Sequence, residues 1–477
     1  MSDNLSLSPR ERESSERIND FEEVVKGYSE EEALKEASRC LQCKKPTCIE
    51  GCPVGIDIKR FIYHITQRDY LSAYKVIREK NDFPSICGRV CPAEYQCRKT
   101  CILTPPGRSV CSPKSINIPL LERFIGDWAI KNNVDISVSL KKKTEYKVAV
   151  IGSGPAGLSC AGNLIREGVE VSVFESLHTL GGVLSYGIPS FRLPRQILEH
   201  EIRYLKKMGV NFILNCLVGK TKTLEQLKQE GFDFFFIGTG AGTPLMLNIP
   251  GENLCGIYSA NEFLVRVNLM KAYKFPKYHT PVNIGRKVIV IGGGNTAIDA
   301  ARCALRLQKI NGLKPCVTVV YRRTLQEMPS RIVEIEHAQQ EGVNFKFLLQ
   351  PQQFVPDANN WVKEVVFFEC FLGEPDESGR RRPVIIPDKK VRLEADTVIV
   401  AIGLKANVSF SSTVEKLEVN RKGEIIVDPQ TMQTSLDNIY AGGDAVGGEG
   451  TVIEAMGMGK KSALSILQRI NRRSSGH

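Results

Sequence analysis

An apolar run, Val148-Ala149-Val150-Ile151, passes directly into Gly152-Ser153-Gly154-Pro155-Ala156-Gly157, and no other stretch restricts the fold of this chain as strongly. The run reads as a buried strand, and the G-x-G-x-x-G after it as a tight turn that opens a helix. Such a turn aims unpaired backbone N–H groups at a pyrophosphate, and its glycines let the backbone approach closely. The next strand, over residues 169–174, ends in Glu175, where an acidic group that holds a ribose hydroxyl belongs. Gly152, Gly154, Pro155, Ala156, Gly157 and Glu175 are therefore the first candidate dinucleotide-binding residues.

The pattern recurs. Residues 287–291 read as a second buried strand, followed by Gly292, Gly294, Asn295, Thr296 and Ala297 in a G-x-G-x-x-A turn. The strand after it, over 317–321, ends in Arg322-Arg323 and not in an acid. Paired guanidiniums clamp a 2′-phosphate that an acid would repel, so this unit is expected to take NADP(H). Between the two units lie Gly181-Gly182 and a glycine- and proline-rich loop containing Ile188, Pro189 and Arg192, placed to run over a bound ring system. A third strand ends in small residues at Thr239-Gly240. Near the far end of the chain, another strand leads to Gly443-Asp444, a glycine-rich turn, and a helix from about Thr451-Val452. A Gly-Asp pair at a dinucleotide-type strand end can hold the ribityl chain of a flavin, with the helix N-terminus facing the ring. The expectation is FAD in the first unit and NADPH in the second, the flavin turning a hydride into single electrons. No protein acid, base or nucleophile is required, and no catalytic residue is expected.

Fifteen cysteines occur in 477 residues, nine of them between Cys40 and Cys111. Clustering of this kind in a long chain favours metal ligation over disulfides. Cys40, Cys43, Cys48 and Cys52-Pro53 form a C-x2-C-x4-C-x3-C-P run, and Cys87, Cys91-Pro92, Cys97 and Cys101 form a second group. Structural zinc usually separates its two knuckles more widely. The crowded run with a trailing proline matches the ferredoxin pattern, whose fourth cysteine ligates the other cluster. Cys40, Cys43 and Cys48 are thus expected to take a fourth ligand from the second group, and Cys52 to join that group's remaining thiols. Cys111 lies outside both runs. Lys44, Lys45, Lys59, Arg60, Arg89, Arg98, Lys99 and Arg108 surround these cysteines. A basic rim suits an acidic electron-transfer partner, although a plain solvated face has the same composition.

The length calls for two or three domains. Residues 1–39 read as one or two surface helices in a charged background, and 131–143 as a linker. The net charge of +11 is spread without a dominant basic block, which argues against nucleic acid. A polar N-terminus and the lack of an apolar run of about 20 residues argue against a membrane segment and place the chain in the cytoplasm. A zinc-bearing scaffold or nucleic-acid-binding protein with a degenerate nucleotide fold is the contrasting class. The cysteine spacing and both intact glycine turns oppose it.

With these motifs assembled, the chain resembles the small (beta) chains of NADPH glutamate synthase over nearly its whole length. It equally resembles their relatives: the large subunit of NADH-dependent ferredoxin:NADP oxidoreductase, sulfide dehydrogenase, and the N-terminal half of dihydropyrimidine dehydrogenase. The resemblance rests on residues 40–53, 87–101, 152–157, the 186–192 loop, 292–297 with Asp299, Arg322-Arg323 through Met328-Pro329, and 441–456. It implies an α/β chain: an N-terminal α-helical iron–sulfur domain (1–140), then two Rossmann-like dinucleotide-binding domains. The NADPH domain (253–403) would be inserted into a discontinuous FAD domain (145–252 and 404–472). It further implies two [4Fe-4S] clusters, one on Cys40, Cys43, Cys48 and Cys101, the other on Cys52, Cys91, Cys97 and Glu122. Read without the resemblance, Glu122 is a surface carboxylate and Cys87 the eighth ligand. The implied role is NADPH-dependent electron input to a glutamate synthase large chain. A standalone or bifurcating ferredoxin:NADP or sulfide dehydrogenase-type reductase, working with a ferredoxin-type electron carrier, is the alternative. Either role is compatible with a hetero- or homo-oligomer. Glutamine hydrolysis is not expected of this chain, which has neither an N-terminal cysteine nucleophile nor an FMN-binding barrel.

Overall fold

The computed structural model describes residues 5–134, 141–447 and 450–475, so residues 135–140 of the expected linker lie outside it. The N-terminal part is helical. Helix Glu30–Ser38 starts on a Ser29/Glu32 capping box, while Asp57 and Asp69 cap Ile58–Thr66 and Tyr70–Arg78 by accepting from the backbone N–H of Arg60 and Ser72. With Ile118–Lys131 these helices surround a core that includes Ala33, Phe61, Ile62, Ile77, Leu121 and Ile125, and Pro84–Val90 packs on Ile118–Lys131 while giving Ile86, Cys87 and Val90 to the core around the first sheet. The last two helices touch backbone to backbone: a Cβ on Gly88 would stand 2.6 Å from the Arg123 nitrogen. This close approach sets Glu122 beside the second cysteine group.

Residues 5–28 differ from the expected surface helices. Among the described residues there, the four-residue helix Ser14–Arg17 and a strand pair, Arg10–Glu11 with Val25–Gly27, are the regular elements. Arg17 is buried against Glu341 at 2.9 Å, and Phe21 stacks on Tyr273 with centroids 4.1 Å apart. Two of the charges that suggest a solvated face, Arg17 and Glu11, are instead partners of Glu341 and His337 far along the chain.

Two five-stranded parallel sheets follow. The first is ordered Ile439–Ala441, Phe234–Ile237, Lys147–Ile151, Glu170–Phe174, Asn211–Ile213. The second is ordered Asn344–Phe347, Val317–Tyr321, Val288–Ile291, Thr397–Val400, Ile257–Ser259. Both central strands are apolar and buried almost throughout, as parallel sheets covered by helices require. The chain crosses from the first sheet to the second at Ala241–Pro244 and back at Leu404–Ala406, and these crossings pair as an antiparallel ribbon. An antiparallel meander, Leu349–Pro356, Val362–Pro375 and Arg381–Glu394, stands beside the second sheet, and no motif in the sequence foretells it. The helix Val452–Ser475 packs along Pro155–Arg166 and reaches the helical region, where Met456 meets Cys87. Among the described residues no helix is long and apolar enough to cross a membrane.

Candidate functional site

Open α/β sheets take ligands at the carboxyl ends of their strands, and the first glycine turn stands there. Gly152, Gly154, Pro155, Ala156 and Gly157 connect Lys147–Ile151 to the helix Pro155–Arg166. A Cβ on Gly154 would meet nothing within 4 Å, so the middle glycine faces open space of the kind a pyrophosphate fills. Glu175 is buried and fixed: Oε2 accepts from the Ser153 N–H at 3.0 Å and hydroxyl at 2.5 Å, and Oε1 accepts from the Leu177 N–H at 2.8 Å. The Ser153 hydroxyl in turn accepts from the Gly181 N–H at 3.0 Å, and Gly182 lies against the Gly154 Cα. Gly443 sits against Ala156 and Ala455, with Asp444 next to it at the start of a short helix. Thr239 and Gly240 follow the strand beside the central one. Thr451 and Glu454 form a capping box at the head of the helix that begins at Val452. Ile188 packs on the core around this sheet, and Pro189 is buried. Arg192 departs from the expected position over a ring. Its guanidinium is buried on Asp299 at 2.5 Å and Glu334 at 2.9 Å, joining the loop to the second unit.

The second sheet repeats the arrangement. Gly292, Gly294, Asn295, Thr296 and Ala297 join Val288–Ile291 to Asn295–Ile310, and Gly294, like Gly154, opens onto empty space. The Asn295 side-chain oxygen accepts from the Arg331 N–H at 3.0 Å. The two arginines expected to act together are separated. Arg322 is exposed at the strand end, whereas Arg323 is buried, bonded to Asp376 at 2.5 Å and to the Arg381 carbonyl at 2.7 Å. Strand alternation turns neighbouring side chains to opposite faces, and the meander that captures Arg323 has no signature in the motif.

The helical region contains two cavities. The first, about 430 Å³ with open solvent included, is lined by Cys40, Cys43, Cys48 and Cys101, with Leu41, Lys59 and Ile102 among its other walls. The second, about 380 Å³ on the same measure, is lined by Cys52, Cys91, Cys97 and Glu122. Ile58 and Ile118 wall both, and Ile453, from the first turn of the C-terminal helix, walls the second. Among the described residues no three Cys, His, Asp or Glu side chains converge to hold a single metal ion. The donor chemistry fits clusters. Burial pushes the Cys52 thiol up to about 11 and the Cys48 thiol up to about 12, the latter reinforced by Cys101. Burial also pushes the Glu122 carboxyl up to about 8, although Asn81 donates to it at 2.5 Å. Thiolates and a carboxylate are stable in such surroundings when a metal centre supplies positive charge. Cys87 is buried outside both cavities, its sulfur 3.6 Å from the Met456 sulfur, and Cys111 lines neither. Several rim cations are structural: Arg89 is buried on Glu23 and Asp127, both at 2.7 Å, and Arg98 bonds Ser115 and Ser6.

Residues 17–134 match the family model described as dihydropyrimidine dehydrogenase domain II, 4Fe-4S cluster, and residues 146–459 match pyridine nucleotide-disulphide oxidoreductase. The chain is 32% identical to a glutamate synthase [NADPH] small chain of Halomonas elongata, covering 97% of this chain and 96% of that one. It is 34% identical to the glutamate synthase [NADPH] small chain of Escherichia coli K12, covering 94% and 93%. Among solved structures, Mycobacterium tuberculosis FprA in complex with NADPH shares the fold, with a TM-score of 0.59, 20% identity, and coverage of 70% of this chain and 86% of that one. The chain therefore belongs to the family of NADPH-dependent, FAD- and 4Fe-4S-containing oxidoreductases that includes the glutamate synthase small chains.

Proposed function

We propose that this chain is a cytoplasmic electron-input unit that oxidises NADPH and delivers electrons to a partner protein, as the small subunit of a glutamate synthase-type complex with a large chain. The observation that carries this reading is a line of adjoining spaces. Gly154 of the first glycine turn faces open space, and Gly443 lies between Ala156 of that turn and Ala455 of the C-terminal helix; Ile453 of that helix walls the second cavity; Ile58 and Ile118 wall both the second cavity and the first. The first cavity ends at the surface. In this reading, residues 145–252 and 404–472 hold FAD, 253–403 hold NADPH, and 1–140 hold two [4Fe-4S] clusters on the two cavity ligand sets. Bound there, the flavin supplies two-electron to one-electron conversion and the clusters supply single-electron conduction.

The chain's own residues bind and orient. Open space at Gly154 and Gly294 admits phosphates to helix N-termini, and Arg322, exposed and without an ion pair among the described residues, offers a cation for a 2′-phosphate. Arg192, Asp299 and Glu334 tie the two units across the loop, which favours a constant separation between the nucleotide sites. A second reading, reduction of a separate acidic one-electron carrier, is favoured by Lys44, Lys45, Lys59 and Lys99, which stand at or beside the first cavity's cysteines and form no ion pair among the described residues. The test is the visible spectrum of anaerobically purified protein before and after stoichiometric NADPH. The expected result is a flavin band over broad iron–sulfur absorption, bleached by NADPH far more readily than by NADH. Colourless protein that contains zinc would reject the proposal.

A further inference from the structure

Glu122 is buried and lines the second cavity, and among the described residues it has one hydrogen-bond partner: the Asn81 side-chain nitrogen donates to its Oε1 at 2.5 Å. No cation pairs with the carboxylate there, so Oε2 is left for the cavity. Asn81 is itself fully buried, and its amide has a fixed sense. Its Oδ1 accepts from the Phe83 N–H at 2.8 Å, a bond that only an oxygen can make, so the nitrogen must face Glu122. The same Oδ1 lies 3.6 Å from the Cys87 sulfur, within reach of an S–H donor. Cys87 stands one helical turn before Cys91, whose N–H donates to the Cys87 carbonyl at 3.0 Å. A spare thiol is thus buried one turn from a cavity thiol without lining the cavity itself. We propose that Asn81 is the positioning residue that makes Glu122, and not Cys87, the eighth cluster ligand.

One side chain holds both candidates. The nitrogen fixes one carboxylate oxygen and so presents the other to the cavity. The oxygen engages Cys87 as a donor, and a sulfur that keeps its proton is not a metal ligand. A hydrogen bond to a carboxylate outweighs one from a thiol, which is a weak donor, so the hold on Glu122 decides the choice. Without that hold the exchange balances within the site: the Cys87 sulfur takes the iron position that the Glu122 oxygen leaves, and the thiol proton passes to the freed carboxylate.

The proposal rests on the reading of the second cavity as a cluster site, and the test is iron content with EPR of the reduced, anaerobically purified holoenzyme. Asn81→Ser keeps an oxygen for the Phe83 N–H but is too short to reach Glu122. Asn81→Leu keeps the volume and loses both polar contacts. Each is expected to retain about eight irons and an unchanged first-cavity signal, with an altered second-cavity signal. Adding Cys87→Ala to either variant is expected to lower iron to about four and to remove the second-cavity signal alone, whereas Cys87→Ala by itself changes neither. A second-cavity signal unchanged in the Asn81 variants, lost in them while Cys87 is present, or persistent in the double variants would each overturn the proposal. Loss of flavin and of the first-cavity signal marks a variant that fails to fold; the other variant then decides, and failure of both would make Asn81 a folding residue and overturn the proposal too. Wild type with about four irons would instead count against the reading of the second cavity as a cluster site.

Discussion

Arg322 and Arg323 adjoin in sequence but do different things. The first is exposed, and the second anchors the meander through Asp376 and the Arg381 carbonyl. Arg322→Ala is therefore expected to raise the KM for NADPH roughly ten- to hundredfold, the worth of a lost charge-assisted hydrogen bond, and to leave NADH unaffected. Arg323→Ala is expected to lower Tm and to change the NADPH/NADH preference far less. Steady-state kinetics with both nucleotides decides it, and equal shifts in preference would contradict the division. Glycines in the first turn separate in the same manner. A Cβ on Gly157 would stand 2.0 Å from the Gly152 carbonyl, while one on Gly154 meets nothing. Gly157→Ala should cost about 1–3 kcal/mol of folding stability. Gly154→Ala should keep the Tm of the apoprotein and reduce its flavin content after reconstitution. A normal flavin content in Gly154→Ala would show that the open space is not a phosphate seat.

At the scale of elements, the N-terminal segment is a strap. Its Arg17 meets Glu341 together with Arg302 and Arg306, at 2.9, 2.8 and 2.7 Å, and both Arg302 and Arg306 lie over the Phe191 ring. Burial pushes the Glu341 carboxyl up, but Arg302 and Arg306 outweigh it and hold the group far below the usual carboxylate range. Removing that one charge leaves three buried guanidiniums short of a partner, so Glu341→Gln should cost about 3–5 kcal/mol, read as a large fall in Tm. Glu334 behaves alike: burial raises it, and Arg192 with Arg302 brings it down to about 2. A carboxyl whose folded value lies below its unfolded value stabilises the fold above the unfolded value. That contribution is complete above about pH 4.5 and is lost as pH falls toward 2. Stability measured against pH should therefore drop over this window in wild type, and less steeply in Glu334→Gln. Parallel curves would contradict the coupling.

Over the whole molecule, what the sequence made legible is what local spacing encodes. The two glycine turns, their strands and Glu175 lie where periodicity and turn chemistry put them, because a parallel strand, a tight turn and a helix are written in consecutive residues. Of the eight ligands proposed, the sequence makes seven legible. Spacing marked the cysteines, but Glu122 reaches the second cavity through packing of two helices at Gly88, and nothing near it in sequence points there. The burial of Arg17, the capture of Arg323 and the turning of Arg192 toward Asp299 were illegible for the same reason: each depends on a partner from a distant segment. The ligand sets are the claim on which the line of spaces depends, and EPR with iron analysis of reduced protein addresses them directly. Wild type should carry about eight irons as two clusters. Cys40→Ala should lose the signal of one cluster, Cys52→Ala that of the other, and Cys87→Ala neither. A single cluster in wild type, or loss of a cluster in Cys87→Ala with Glu122→Ala unaffected, would contradict the assignment.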